Sequence, residues 1–299
     1  MTAPWTALPE RGNTPALNLI AWIGRHLGRR VARWLLYPIT AHYFLTGAAP
    51  RKGSRLFLRR LWGREPSGWE VFCHFHCFAA TLLDRLYLLI GQHQHFQLRI
   101  HGGEEILRLA AAGKGCLLLG SHLGSFEVLR VHGLSHKGLP VRIVMDTDHN
   151  TTATRFFAAL NREIFATTLA RGSPDLLLKV VDCLEQGQLV GLLGDRLVGR
   201  DRAVRCQFLG GEALFPTGPV VLAALARCPV ILCFALCRGD GRYDLHFEPF
   251  ADLITLDRQS RQRDVQTWVQ RYADRLEHYT RLAPYNWFNF YDFWLADDT

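Results

Sequence analysis

From about residue 96 onward, short apolar runs alternate with stretches of helical periodicity, and this alternation restricts the fold more tightly than any other feature of the chain. Phe96–Ile100, Cys116–Gly120, Val141–Met145, Phe165–Leu169, Leu189–Leu193, Arg205–Leu209, Val230–Leu236 and Tyr243–Phe247 read as strands. Between them Glu104–Ala112, a segment starting near Ser125, Thr151–Arg162, Ser173 to Gln186, Thr217–Ala226 and Asp264–Arg281 read as helices. Ser173 is the expected cap of its helix, with Pro174 at the first position and Gly187 beyond the end. Strands that are apolar throughout must be covered on both faces, which predicts an α/β fold with a central, mostly parallel sheet flanked by helices. The alternation starts late, so the expected division is a helical region over residues 1–92 and an α/β domain over residues 93–299.

The first region carries a charge of its own. Residues 1–65 hold eleven Arg and Lys side chains against Glu10 and Glu65, a net of +9, whereas the remaining 234 residues carry 24 bases and 25 acids. The cations are interleaved with Trp5, Trp22, Trp34, Tyr37, Tyr43, Phe44, Phe57 and Trp62. Rings with arginines suit a membrane interface, where each cation contributes at most about 1 kcal/mol against anionic lipid. A nucleic-acid partner is not expected, because the rest of the chain offers no second basic face and no binding motif. The longest uncharged apolar run, Trp34 to Pro50, contains Pro38, His42 and Gly47 and is at the lower limit for a span, so an in-plane or shallow helix is expected. Glu10, Arg11 and the arginines at 25, 29, 30 and 33 break any secretion-signal pattern, and the bulk of the protein is expected in the cytoplasm.

Most of the eight cysteines stand in apolar surroundings, as expected of reduced, buried thiols. Cys73-His74-Phe75-His76-Cys77 has helical spacing for a metal, but it lies inside the helix-like apolar pattern Trp69–Ile90 and has no second CxxC pair. Helix packing is the expected role, and no metal or cofactor is assigned.

In a parallel α/β sheet, reacting groups gather where strands end and helices begin. The strand Cys116–Gly120 is followed by Ser121-His122-Leu123-Gly124-Ser125-Phe126-Glu127, which puts His122 at that carboxyl end and Glu127 in the first turn of the next helix. A carboxylate on one ring nitrogen fixes the tautomer and leaves the other as a general base, and the spacing lets Glu127 fold back into that role. The middle of Gly120-Ser121-His122-Leu123-Gly124 is histidine where a serine-hydrolase elbow has its nucleophile, so direct attack by an external hydroxyl or amine is the simpler scheme.

His122 with Glu127 resembles the His-x-x-x-x-Asp/Glu signature of the lysophospholipid acyltransferase superfamily, and the surroundings resemble its lipid A biosynthesis branch of lauroyl and myristoyl transferases. Leu189 to Arg196 is similar to that branch's strand ending in Asp-Gln or Asp-Arg. Phe208-Leu209-Gly210-Gly211, then Phe215-Pro216-Thr217-Gly218-Pro219 with Ala223, Ala224 and Pro229, is similar to its Phe-x-Gly and Thr-Gly-Pro block. Pro284 and Trp287 resemble its Pro-x-x-x-Trp. The likeness runs from about residue 17 onward.

It implies a glycerolipid acyltransferase-like fold and transfer of a fatty acyl chain from an acyl carrier protein or coenzyme A thioester to a hydroxyl or amine of a membrane lipid or lipid-like acceptor. The expected place is the cytoplasmic face of the inner membrane, with His122 as base and Glu127 orienting it. By motif position Asp195 and Arg196 would line the donor or acceptor phosphate site, with Ser125, Thr217 and Gly218 also at the substrate. Apart from the resemblance, Arg171, which precedes a capped helix whose amide end can bind an anion with it, and Arg155 are secondary candidates. Where those enzymes continue with a basic run, this chain has the aromatic and acidic Asn286 to Trp294, which points the acceptor equally to other membrane lipids or membrane-anchored pigments. A thioesterase or esterase using the same pair on water, and a non-catalytic membrane scaffold, are the alternatives.

Overall fold

The computed structural model of the protein describes residues 14–129, 140–145, 167–199 and 201–295. Three helices come first: α1 (Thr14–Thr46), α2 (Ala48–Trp62) and α3 (Gly68–Leu89). Ser67 starts α3 with a reciprocal cap, its Oγ accepting from Glu70 N at 3.2 Å while its own N donates to Glu70 Oε2 at 2.7 Å. α1 breaks at Gly28, whose φ of 80° lies outside helical space. No helix among the described residues is long and apolar enough to cross a membrane.

There follow β1 (Gln97–His101), α4 (Glu104–Ala111), β2 (Cys116–Gly120), β3 (Val141–Met145), β4 (Thr168–Ala170), α5 (Leu176–Glu185), β5 (Leu189–Leu193), β6 (Ala203–Phe208), β7 (Gly211–Pro216), α6 (Gly218–Ala226), β8 (Val230–Cys237), β9 (Arg242–Ala251) and α7 (Arg261–Leu282). Among the described residues, seven strands form one sheet in the order β1-β9-β8-β2-β5-β3-β4. β4, β3, β5, β2 and β8 run parallel, β9 turns back antiparallel to β8, and β1 lies parallel to β9. The α/β expectation with a mostly parallel sheet is what the structure shows.

Successive residues of the central strands feed opposite cores, as a period of two requires. Leu117 and Leu119 of β2 join Phe57, Leu58, Val71, Trp287 and the α7 side chains in one cluster, while Cys116 and Leu118 join Ile106, Leu109 and Val128 in the other. α2 therefore packs into the same core as Leu117 and Leu119 of β2.

Two expectations need correction. Arg205–Leu209 is not part of the main sheet: β6 pairs with β7, which the sequence pattern did not reveal, in a separate antiparallel hairpin. Its two loop residues, Leu209 and Gly210, both have positive φ, the geometry that suits a two-residue hairpin. Leu209 is held there by burial and by its N–H donating to Glu277 Oε2 at 2.5 Å. The α5 helix starts at Leu176 with Asp175 at the cap position, and Ser173 Oγ is bonded to the Asp175 carboxylate instead of capping. Several arginines of the amino-terminal region pair with acids of the chain itself: Arg29 with the buried Asp84 at 2.8 Å and, nearer the surface, Arg33 with Asp240 at 3.3 Å and Arg64 with Glu70 at 2.5 Å. The expected helix Thr151–Arg162, with Arg155, and the start of the strand expected at Phe165 lie outside the described residues.

Candidate active site

β2 and β5 are hydrogen-bonded neighbours in register, Gly120 opposite Leu193, so the residues just past their carboxyl ends meet. His122 comes from one strand and Asp195 from the other. His122 Nδ1 lies 2.9 Å from Asp195 Oδ1, and the His122 backbone N–H is shared between the two carboxylate oxygens at 3.1 Å each. Trp287 Nε1 donates to Asp195 Oδ2 at 3.1 Å, completing the partners of a carboxylate with no exposed surface.

An ionised carboxylate only accepts, so Nδ1 carries the hydrogen and Nε2 is the basic nitrogen. Burial alone would raise the Asp195 pKa, but the His122 and Arg196 charges and the hydrogen bonds from His122 and Trp287 outweigh it and bring it to about 2. Burial first, and then the Arg196 charge, pull His122 below the ordinary histidine value, against the opposing pull of Asp195. The imidazole is thus held neutral and oriented, with a third of its side-chain surface open.

The expected partner of His122 was Glu127, and here the structure gives a different answer. The carboxylate on Nδ1 belongs to Asp195, 73 residues further on. Glu127, in the helical residues 126–129, is buried with its Oε2 3.3 Å from Arg85 Nε of α3. A helix leaving the strand end carries Glu127 toward α3, while strand pairing delivers Asp195 directly.

The loop between is fixed by a close approach. Gly124 has a φ of 72°, and a Cβ there would run into the Ala235 carbonyl of β8. Its N–H donates to Asn286 O at 2.9 Å, and Ser125 N donates to Ala235 O at 3.0 Å, which leaves Ser125 buried in the frame of the loop. Tyr272 OH of α7 donates to Gly120 O at 2.8 Å, steadying the strand end from the other side.

Arg196 sits beside the imidazole with Nη2 donating to Phe288 O at 2.6 Å and its guanidinium over the Tyr291 ring, 5.8 Å from the centroid. Arg171, Thr217 and Gly218 form a second grouping at the start of α6. Arg171 pairs with Asp201 at 2.5 Å, Thr217 N donates to Arg202 O at 2.9 Å, and a Cβ on Gly218 would lie 4.0 Å from Arg171 Nη2. The structure therefore joins His122, Asp195 and Arg196 in one site and sets Arg171, Thr217 and Gly218 together in another.

Sequence reasoning took His74 only as a helix-packing residue. It is fully buried, accepts from Ser54 Oγ at Nδ1 (2.7 Å) and donates from Nε2 to Trp287 O at 2.9 Å. A carbonyl cannot donate, so the Nε2 proton is fixed, and burial pulls the pKa down to about 4. His74 thus holds the backbone of the tryptophan whose indole holds Asp195. The signal was present: His74 falls on the apolar stripe of α3 with Val71 and Phe75, where a polar side chain needs internal partners.

A family model for bacterial lipid A biosynthesis acyltransferases matches residues 73–296, which includes the strand ends, both members of the histidine–aspartate pair and Trp287. No curated protein matches the chain. With three quarters of its residues covered by that model, the chain belongs to the bacterial lipid A biosynthesis acyltransferase family and is an acyltransferase.

Proposed function

We propose that the protein moves a fatty acyl group from an acyl carrier protein or coenzyme A thioester to a hydroxyl or amine of a membrane lipid or lipid-like acceptor. The carrying observation is the His122–Asp195 pair at adjacent strand ends, with Nδ1 committed and Nε2 basic. His122 Nε2 takes the acceptor proton as the acceptor oxygen or nitrogen bonds to the thioester carbonyl carbon. The tetrahedral intermediate then collapses, the carbon–sulfur bond breaks, and the imidazolium returns the proton to the departing thiolate. Arg196 stands where the negative charge of the intermediate or a substrate phosphate is met. The scheme uses no metal or cofactor.

The reaction is placed at the cytoplasmic face of the inner membrane, with the acceptor drawn from the bilayer. An aromatic row supports this: Trp34 and Tyr37 of α1, His76, Phe72 and Trp69 of α3 lie ring against ring, with Trp34 76% and Trp69 66% exposed. Phe78 extends α3's apolar surface to Phe288, 5.2 Å between centroids, and Phe288 N donates to His122 O at 3.0 Å. Phe78, 36% exposed, thus joins the surface of α3 to the residue bonded to the backbone of the base.

Membranes holding the wild type or His122→Ala, supplied with acyl thioester and analysed by mass spectrometry, test the reading. The wild type should add one acyl chain to a membrane acceptor, and the alanine variant should do so about 10²- to 10⁴-fold more slowly. Undiminished transfer by the variant, or free fatty acid as the main product with acceptor present, would contradict it.

A further inference from the structure

The β1 edge of the sheet carries a second group of chemistry-bearing side chains that acyl transfer does not use. β1 is the edge strand, largely exposed, and it pairs in parallel with β9 so that His101 stands opposite His246. Tyr243 and Leu245 of β9 point into the core, so the alternate residues Asp244 and His246 share the other face. There the His101 and His246 rings stack at 4.6 Å between centroids and 9° between planes. One donor atom from each of His101, Asp244 and His246 lies within 4.8 Å of the others. Arg238 Nε holds Asp244 Oδ2 at 2.8 Å. His246 Nε2 is buried and has no hydrogen-bond partner among the described residues.

From this we propose that His101, Asp244 and His246 form a binding site for a zinc-class divalent cation, joining the edge strand β1 to β9. Two imidazoles and one carboxylate are a donor set for zinc and its first-row neighbours, whereas calcium and magnesium call for oxygens. An ion there supplies the bond that buried His246 Nε2 lacks, and Arg238 on the carboxylate is the kind of outer contact that orients a ligand. Tetrahedral zinc holds its ligands about 3.3 Å apart, so the donors must draw together and the rings must turn out of their stack. His101, exposed at the end of an edge strand, has the room to turn. Water would supply the fourth ligand of a tetrahedral ion. The site is separate from the acyl-transfer machinery, since β8 lies between β9 and the strand that delivers His122.

Untagged full-length protein should be equilibrated with zinc by dialysis and analysed for metal, with cobalt(II) as a spectroscopic probe. The expected result is one zinc per chain, bound at least about tenfold more weakly by His101→Ala and by His246→Ala, with a zinc-dependent rise in melting temperature in the wild type alone. His101→Ala changes an exposed side chain, so it keeps the test decisive even if the His246 variant misfolds. Absence of stoichiometric zinc in the wild type, undiminished zinc in His101→Ala, or a cobalt spectrum with a thiolate charge-transfer band, which would put the ion on cysteines, would each overturn the proposal.

Discussion

A histidine in a loop is a base only if something fixes its proton, and at the residue scale this is the part the sequence left open. The position of His122 after a buried strand was legible, because short apolar runs mark strands and reactive groups sit at their ends. Asp195 was visible as a motif residue, but its pairing with His122 depends on β2 and β5 being neighbours in register, and no local spacing encodes that. Glu127 was favoured by its spacing from His122 and by the resemblance to a His-x-x-x-x-Asp/Glu signature, neither of which carries strand order. Two outcomes follow. Because His122 titrates below the ordinary histidine value of 6.5, the transfer rate should fall along a single acid limb with its midpoint below that value and be level at neutral pH. Glu127→Gln, which alters the contact with Arg85 and not the imidazole, should lower the rate while leaving that midpoint in place; a shifted limb would put Glu127 on the base after all.

At the scale of elements, strands and helices with strong periodicity were readable, and the misses have physical causes. Gly211–Pro216 lies between Gly210-Gly211 and Pro216-Thr217-Gly218, residues that read as turns, and its pairing with β6 is set by a tight hairpin outside the main sheet. The α3 helix was legible as a helix, but its bond to the carboxyl-terminal segment was not, since His74 and Trp287 are 213 residues apart. That bond has a pH signature. With a folded pKa near 4, His74 is protonated in the unfolded chain before it is in the folded one, so its contribution is fully present above pH 6.5 and is lost as the pH falls toward 4. About 3 kcal/mol should disappear across that window. Denaturant unfolding at pH 7 and pH 4.5 should show His74→Gln, which keeps a donor for Trp287 O but does not titrate there, losing less stability than the wild type. Equal losses would remove the buried neutral histidine from the account.

Considered as a whole molecule, the protein has its basic amino-terminal region bound to the α/β body and not appended to it. Arg29 reaches the buried Asp84, which also accepts from Tyr243 OH at 3.0 Å, and Phe57 packs 5.1 Å from the Trp287 ring. Composition revealed the cations and rings but not that several cations are paired with acids of the same chain, because a charge count carries no contacts. Removing residues 1–65 would therefore open the core under Trp287, and surface substitutions are the cleaner probe of membrane binding. Trp34→Ser with Trp69→Ser should reduce partition onto anionic vesicles about tenfold, or ~1.4 kcal/mol, without lowering the melting temperature; unchanged partition would move the membrane face elsewhere. The central claim, that His122 and Asp195 act as one unit in acyl transfer, is tested most directly by a double-mutant cycle on the transfer rate. His122→Ala and Asp195→Asn should each cost about 10² to 10⁴, and the double variant should be no slower than His122→Ala alone. Near-normal transfer by Asp195→Asn, or losses that multiply in the double variant, would contradict it.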